Sequence, residues 1–291
     1  MTNASSSTFG YNFSMANKTW FITGTSRGFG REWTSAALER GDRVAATARD
    51  TSTLADLTAR YGDRILTIAL DVQDRAACFA AVDQAHEHFG RLDVVVNNAG
   101  YGQFGLIEEL SEKELRDQLE TNVFGAFWVT QAALPHLRKQ RSGHILQVSS
   151  IGGISAFSGI GAYHASKWAL EGFSQSLAQE VADFGIHVTL VEPGGFDTDW
   201  GGASAKRAKP MADYAALHEK IKEQRKSRVG KAGDPKASAR ALFKIVDAKE
   251  PPLRVFFGAA PLAIAKADYA KRLETWEAWQ PVALEAQGEP T

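Results

Sequence analysis

Apolar and polar positions alternate along this chain in blocks. Short apolar runs rich in β-branched and aromatic residues are separated by longer stretches with helical spacing. The first run is Lys18–Thr23 (KTWFIT), ending at Gly24. A helix is expected from about Gly30 to Arg40, stopping at Gly41, a good terminator. Arg43–Ala48 reads as a second strand, Leu54–Tyr61 as a helix ending near Gly62, and Arg64–Leu70 as a third strand. Asp74–Phe89 is helical up to Gly90, and Leu92–Val96 is a fourth strand. Ser111-Glu112-Lys113-Glu114 has capping-box spacing and opens a long helix towards Gln140. His144–Ser149 is strand, Ala162–Phe184 helix and His187–Val191 strand, and Arg254–Phe257 adds a seventh strand.

Repeated strand–helix units with apolar strands imply a mainly parallel sheet covered by helices on both faces. The fold class is therefore α/β and doubly wound, a single domain over residues 18–260, with ligands at the carboxyl ends of the strands. Residues 1–17 are polar and lack an apolar centre, which predicts a mobile tail and no secretory signal; Met15 is a second candidate start. A substrate lid is expected at about 195–228 and a C-terminal helical extension at 261–291.

Composition narrows the class. One cysteine, Cys78, in 291 residues excludes an internal disulfide framework and a multi-cysteine zinc site, and suits a reducing, cytoplasmic setting. A net charge of −1 argues against a nucleic-acid footprint. No apolar run is long enough to span a membrane, and the seven histidines show no convincing ligand spacing, so no metal is expected.

The turn after the first strand, Thr23-Gly24-Thr25-Ser26-Arg27-Gly28-Phe29-Gly30, can bring backbone N–H groups close to a pyrophosphate at a helix N-terminus. A mere tight connection is the plainer alternative. Gly100-Tyr101-Gly102-Gln103-Phe104-Gly105 matches Gly-x-Gly-x-x-Gly literally, but no helix opens there, so it is a decoy that lines the cleft at most. The second strand ends in Ala48-Arg49-Asp50. Arg49, joined by Arg27, suits a 2′-phosphate and so NADP; solvated arginines, with Asp50 pairing Arg49, are the alternative.

Tyr163 and Lys167 are four apart on a predicted helix and share a face. An ammonium beside a phenol favours the phenolate and lowers the Tyr pKa. Ser150, at the end of the preceding strand, can polarise a carbonyl.

Together these residues resemble the short-chain dehydrogenase/reductase family, NADP-preferring type. Gly24, Gly28 and Gly30 look like its cofactor turn, Asp71-Val72 its adenine contact, and Asn97-Asn98-Ala99-Gly100 its motif after the fourth strand. Asn122, Ser150, Tyr163 and Lys167 match its catalytic tetrad, and Pro193, Gly194 and Thr198 its nicotinamide-side loop. The resemblance covers about residues 18–200. It implies a Rossmann-type fold, NADP(H), and hydride transfer to or from a carbonyl or secondary alcohol. Ser26 and Phe29 join the cofactor set, and Tyr163 and Lys167 belong to both sets. By the same resemblance Lys167 holds the nicotinamide ribose, and Asn122 steadies a water linking Lys167 to solvent. Pairing into a homodimer or homotetramer through the helices near Ser111–Gln140 and Ala162–Phe184 is also implied. A catalytically silent NADP-binding sensor on the same fold is the competing class.

Tyr101, Phe104, Phe157, Phe196, Trp200 and Tyr214 are placed to border a hydrophobic ketone or aldehyde. Residues 201–209 suit a mobile loop whose basic side chains are solvated, and Trp276 and Trp279 are expected to dock the last helix.

Overall fold

The computed structural model describes residues 17–226 and 232–288; most of the expected tail, and the end of the expected lid, lie outside these residues. The chain runs β1 (Thr19–Ile22), α1 (Gly28–Arg40), β2 (Arg43–Ala48), α2 (Ala55–Tyr61), β3 (Ile65–Ala69), α3 (Arg75–Phe89) and β4 (Val94–Asn97). It continues through β5 (Gln103–Phe104), α4 (Glu112–Leu119), α5 (Gly125–Gln140), β6 (Gly143–Val148), α6 (Gly161–Val181) and β7 (Ile186–Pro193). It closes with β8 (Lys206–Arg207), α7 (Ala215–Lys226), α8 (Pro235–Val246), β9 (Arg254–Phe257) and α9 (Pro261–Gln287).

Seven strands form one parallel sheet in the order β3-β2-β1-β4-β6-β7-β9. The chain winds outward from β1 to β3, then returns to β4 on the other side. The carboxyl ends of β1 and β4 therefore flank the point where winding reverses, and a crevice opens there. Period-2 alternation assigns each strand residue to one of two cores. Trp20, Ile22, Val44, Ala46, Val94, Val96 and Leu146 pack with Trp33 and Leu38 of α1 and Leu242 of α8. Phe21, Ala45, Val95 and Ile145 face the other way, onto α3, α5 and the end of α6. Cys78 lies in this second core, its Sγ donating to Val72 O at 3.4 Å; burial pushes the thiol up to about 12.

Asp42 anchors the amino end of the sheet, accepting from Trp20 Nε1 at 2.8 Å and Arg40 Nε at 2.9 Å. The capping box forms as expected: Glu114 N donates to Ser111 Oγ at 3.3 Å, and Ser111 N to Glu114 Oε2 at 2.8 Å. The long helix it opens is not uniform. Glu120–Phe124 form a π-turn between α4 and α5, and Asn122 sits within it. Such turns add a residue to the helix and re-aim side chains.

Two expectations need correction. Residues 201–209 are not simply a mobile loop with solvated charges. Lys206–Arg207 pair with Gln103–Phe104 as a small parallel ribbon, Lys206 Nζ lies 3.6 Å from Asp117, and the Arg207 guanidinium lies over the Phe104 ring at 5.1 Å. Nor do Trp276 and Trp279 dock α9: they are 58% and 65% exposed. Pro261 and Ala265 are the residues α9 buries, because its second half projects past the strands it starts against.

Candidate active site

The glycine turn closes over the end of β1. Thr23 N donates to Val96 O and Thr25 N to Thr47 O, so the turn is stitched to both neighbouring strands. Gly24 holds φ +69°, where a Cβ would stand 2.9 Å from Ala99 Cα. At Gly30 a Cβ would stand 2.4 Å from Gly24 O and 2.5 Å from Asn98 Nδ2. Gly30 thus lets α1 approach the turn, and does not itself face the cleft. Asn98 locks the arrangement, its Nδ2 donating to Thr23 O at 2.8 Å and Gly24 O at 3.0 Å. The first turn of α1 has no side-chain cap, so its free N–H groups open towards the cleft.

The cleft has a volume of about 780 Å³. Every expected cofactor and catalytic residue lines it except Gly30 and Asn122. Ser26, Arg27, Gly28 and Phe29 form one wall, with Arg49 and Asp71 at the far corner. Val72 lines it and also packs against Gly125, where a Cβ would meet Val72 Cγ2 at 2.7 Å. Ala99, Gly100, Pro193, Gly194 and Thr198 also line it, with Ala99 against Gly24 and Thr198 against Gly28.

At the corner the two arginines separate. Asp50 spends its carboxylate on Ser52 N at 2.9 Å as a helix cap and forms no ion pair with Arg49. Arg49 is exposed and makes no salt bridge among the described residues. Arg27 Nη1 instead bonds Asp199 Oδ2 at 2.7 Å, tying the glycine turn to the segment after β7.

At the floor, β6 delivers Ser150 and α6 delivers Tyr163 and Lys167. Ser150 Oγ accepts from Gly152 N at 2.9 Å, and its side chain stands near enough to Tyr163 to favour the phenolate. Tyr163 is buried, which pushes its phenol up to about 12, partly opposed by Ser150. Lys167 Nζ donates to Val148 O at 2.7 Å and lies 5.7 Å from the centre of the Tyr163 ring. Burial draws its ammonium down to about 8. Desolvation is the larger influence on the phenol here, and the lysine donates to a backbone carbonyl. Asn122 is not among the residues that line the cleft. Its Nδ2 donates to Tyr101 O at 3.0 Å and Ser166 Oγ at 3.1 Å, and its Oδ1 accepts from Tyr101 N at 3.1 Å. The π-turn aims Asn122 to brace the Tyr101 loop from behind the cleft.

Of the six expected substrate-side aromatics, Tyr101, Phe157, Phe196 and Trp200 line the cleft. Phe196 also packs edge-on against Phe29, with centroids 4.9 Å apart. Trp200 covers Tyr163 at 4.8 Å between centroids and touches Phe104 at 5.3 Å. Phe104 and Tyr214 do not line this cleft: Phe104 is buried and Tyr214 Oη donates to Glu108 Oε2 at 2.6 Å. Sequence reasoning missed His164, whose Nδ1 bonds Gly152 O and whose Nε2 accepts from Phe157 N, both at 2.8 Å, bracing the loop between Ser150 and Tyr163. It also missed Asp199, which lies 172 residues from its partner Arg27.

The short chain dehydrogenase family model matches residues 18–209. This chain belongs to the short-chain dehydrogenase family. Among its relatives, the oxidoreductase BOA17 of Botryotinia fuckeliana is 45% identical over 83% of this chain and 89% of its own. A short-chain dehydrogenase structure from Streptomyces avermitilis superposes with a TM-score of 0.85 at 40% identity, covering 92% of this chain and 99% of that one. An alcohol dehydrogenase of the archaeon Thermococcus sibiricus, solved with 5-hydroxy-NADP, gives 0.70 at 26% identity, covering 84% and 97%. This family member is thus an oxidoreductase on the parallel doubly wound sheet. Among the described residues, no helix is long and apolar enough to cross a membrane, and no cluster of His, Cys, Asp and Glu is grouped to hold a metal.

Proposed function

We propose that this oxidoreductase uses NADP(H) to interconvert a hydrophobic ketone or aldehyde and the corresponding alcohol. The observation that carries the reading is the convergence of Ser150, Tyr163 and Lys167 on the floor of the cleft the glycine turn closes. The residues fit a dinucleotide phosphate: positive-φ glycines at Gly24 and Gly28, an uncapped α1 N-terminus, and the exposed Arg49 beyond Ala48. When bound there, the nicotinamide would supply or accept the hydride.

Gly24, Ser26, Gly28 and the start of α1 would hold the diphosphate, and Arg49 the 2′-phosphate. Asp71, Val72, Asn98, Ala99, Gly100, Pro193, Gly194 and Thr198 would line the rest of the dinucleotide's path. Tyr163 would donate its proton to the carbonyl oxygen in reduction. The upward push on its phenol keeps that proton in place until an oxyanion develops beside it. Ser150 would hydrogen-bond the same oxygen. Lys167 would stabilise the phenolate left behind. Trp200 and Phe157 would exclude water and favour an apolar substrate.

Tyr163→Phe tests the reading. NADPH binding should persist while oxidation of NADPH in the presence of aryl ketones falls at least ~10³-fold, the scale of a lost general acid. Near-normal turnover would refute Tyr163 as the proton donor.

A further inference from the structure

Three consecutive residues at the end of β6 serve three residues one turn apart on α6. Ser150 stands beside Tyr163, Val148 O accepts from Lys167, and the Ser149 hydroxyl lies against Glu171. The packing there admits nothing more: a Cβ on Gly153 would stand 2.7 Å from Ser149 Oγ and 3.2 Å from Glu171 Oε1. Glu171 follows Lys167 by four residues and so shares its face of α6.

Glu171 is not alone. Glu192, at the end of β7 beside Pro193, faces it, and their side chains are 8% and 1% exposed. Arg254 of β9 is the cation that reaches them, with Nε 2.9 Å from Glu171 Oε2 and 3.5 Å from Glu192 Oε1. Two buried carboxylates against one guanidinium cannot cheaply both be ionised, so one proton stays with the pair near neutral pH. Burial pushes the Glu171 carboxyl up as well, but Ser149 and Arg254, with Nε at 2.9 Å, oppose that push and make it the better compensated of the two. Burial and the neighbouring charge push Glu192 up to about 8. Around the pair, α6 adds Tyr163 and Lys167, and the end of β6 adds the Ser149 hydroxyl. Beyond the turn after β6, Asp268 and Arg272 of α9 pair with each other at 2.7 Å.

Resting on the oxidoreductase reading above, we propose that Glu171 is a positioning residue: its one negative charge, kept single by the proton on Glu192, holds buried Lys167 as the ammonium. Desolvation works to strip Lys167 of its proton, and Glu171 is the charge that opposes it. Glu192 prevents a second negative charge from building up behind the site. Arg254 fixes the carboxylate from the outer side, with Nη2 also donating to Gln175 Oε1 at 2.9 Å.

The test is an NMR titration of ¹³Cε-labelled lysines in the full chain, with the Lys167 signal assigned by its loss in Lys167→Arg. In Glu171→Gln the midpoint of Lys167 should fall by about one pH unit or more, the effect of removing a close opposite charge. Glu171→Asp, which keeps the charge but withdraws it, should give a smaller fall in the same direction and supplies the readout if the glutamine variant does not fold. Glu192→Gln, a neutral mimic of the protonated acid, should leave the midpoint in place. An unmoved midpoint in both Glu171 variants, or an equal fall in Glu192→Gln, overturns the proposal. In parallel, the alkaline limb of kcat/KM for aryl ketones with NADPH should move to lower pH in Glu171→Gln. Failure of the unaltered protein to turn over any ketone, with Lys167 still responding to Glu171, would overturn the oxidoreductase reading while supporting Glu171's hold on the lysine.

Discussion

The glycine turn and the segment from Gly195 to Arg207 border one cleft, yet the first is stitched into the central sheet, whereas the second hangs on β5 and Gly233 by a few backbone bonds and meets the site through side chains. In the turn, hydrogen bonds from Thr23 and Thr25 to adjacent strands fix the path, and Gly24 and Gly30 have no room for another carbon. In the second segment, rings and ion pairs make the contacts with the site: Trp200 on Tyr163 and Phe104, Arg27 on Asp199, Lys206 on Asp117. A rigid wall suits a ligand whose diphosphate is the same in every turnover. A wall of side chains can be exchanged to suit another substrate without disturbing the sheet.

That contrast can be broken from either side. The largest effect is expected at Gly30→Ala, where the new methyl meets Gly24 O and Asn98. Overpacking should cost ~1–3 kcal/mol of stability, and NADPH affinity should drop roughly 100-fold as the turn is displaced; melting and calorimetric titration would show both. An unchanged affinity would mean that the turn has slack. Arg49→Ala should weaken NADPH by roughly 10-fold to 100-fold, the range for a hydrogen bond to a charged group, and leave NADH nearly untouched. Equal losses for both cofactors would remove the phosphate contact. Adding Arg27→Ala should deepen the NADPH loss and also free Asp199. The smallest effect on folding and cofactor is expected at Trp200→Ala. There the ratio of kcat/KM for bulky against small aryl ketones should rise about tenfold as the ring over Tyr163 is removed, a change of ~1–3 kcal/mol in pocket discrimination. No change in that ratio would show that Trp200 serves packing alone.

The same contrast separates what the sequence revealed from what it concealed. Strands and helices of the sheet were legible because each carries its own period, and helix ends at Gly41, Gly62 and Gly90 fell where expected. Tyr163 and Lys167 were legible from their spacing on one helix. The spacing that paired them also reached Glu171, but its partners Glu192 and Arg254 arrive from two other strands, and no local pattern announces them. The β5–β8 ribbon is two residues deep, too short for alternation to register. The π-turn at Asn122 looks like ordinary helix in sequence, since its signal is a change in hydrogen-bond register. Trp276 and Trp279 misled because large apolar residues normally reach a core, whereas α9 outruns the body it starts on.

Cys78 has a use of its own. Its thiol, on the buried face of α3, is held in the protonated form, so maleimide reagents, which are attacked by thiolates, would find little to react with in the folded chain. A single cysteine placed in the lid, for instance by Ala203→Cys, would then carry a fluorophore at one defined point. The chain supplies a nearly silent background for asking whether that segment moves when cofactor binds.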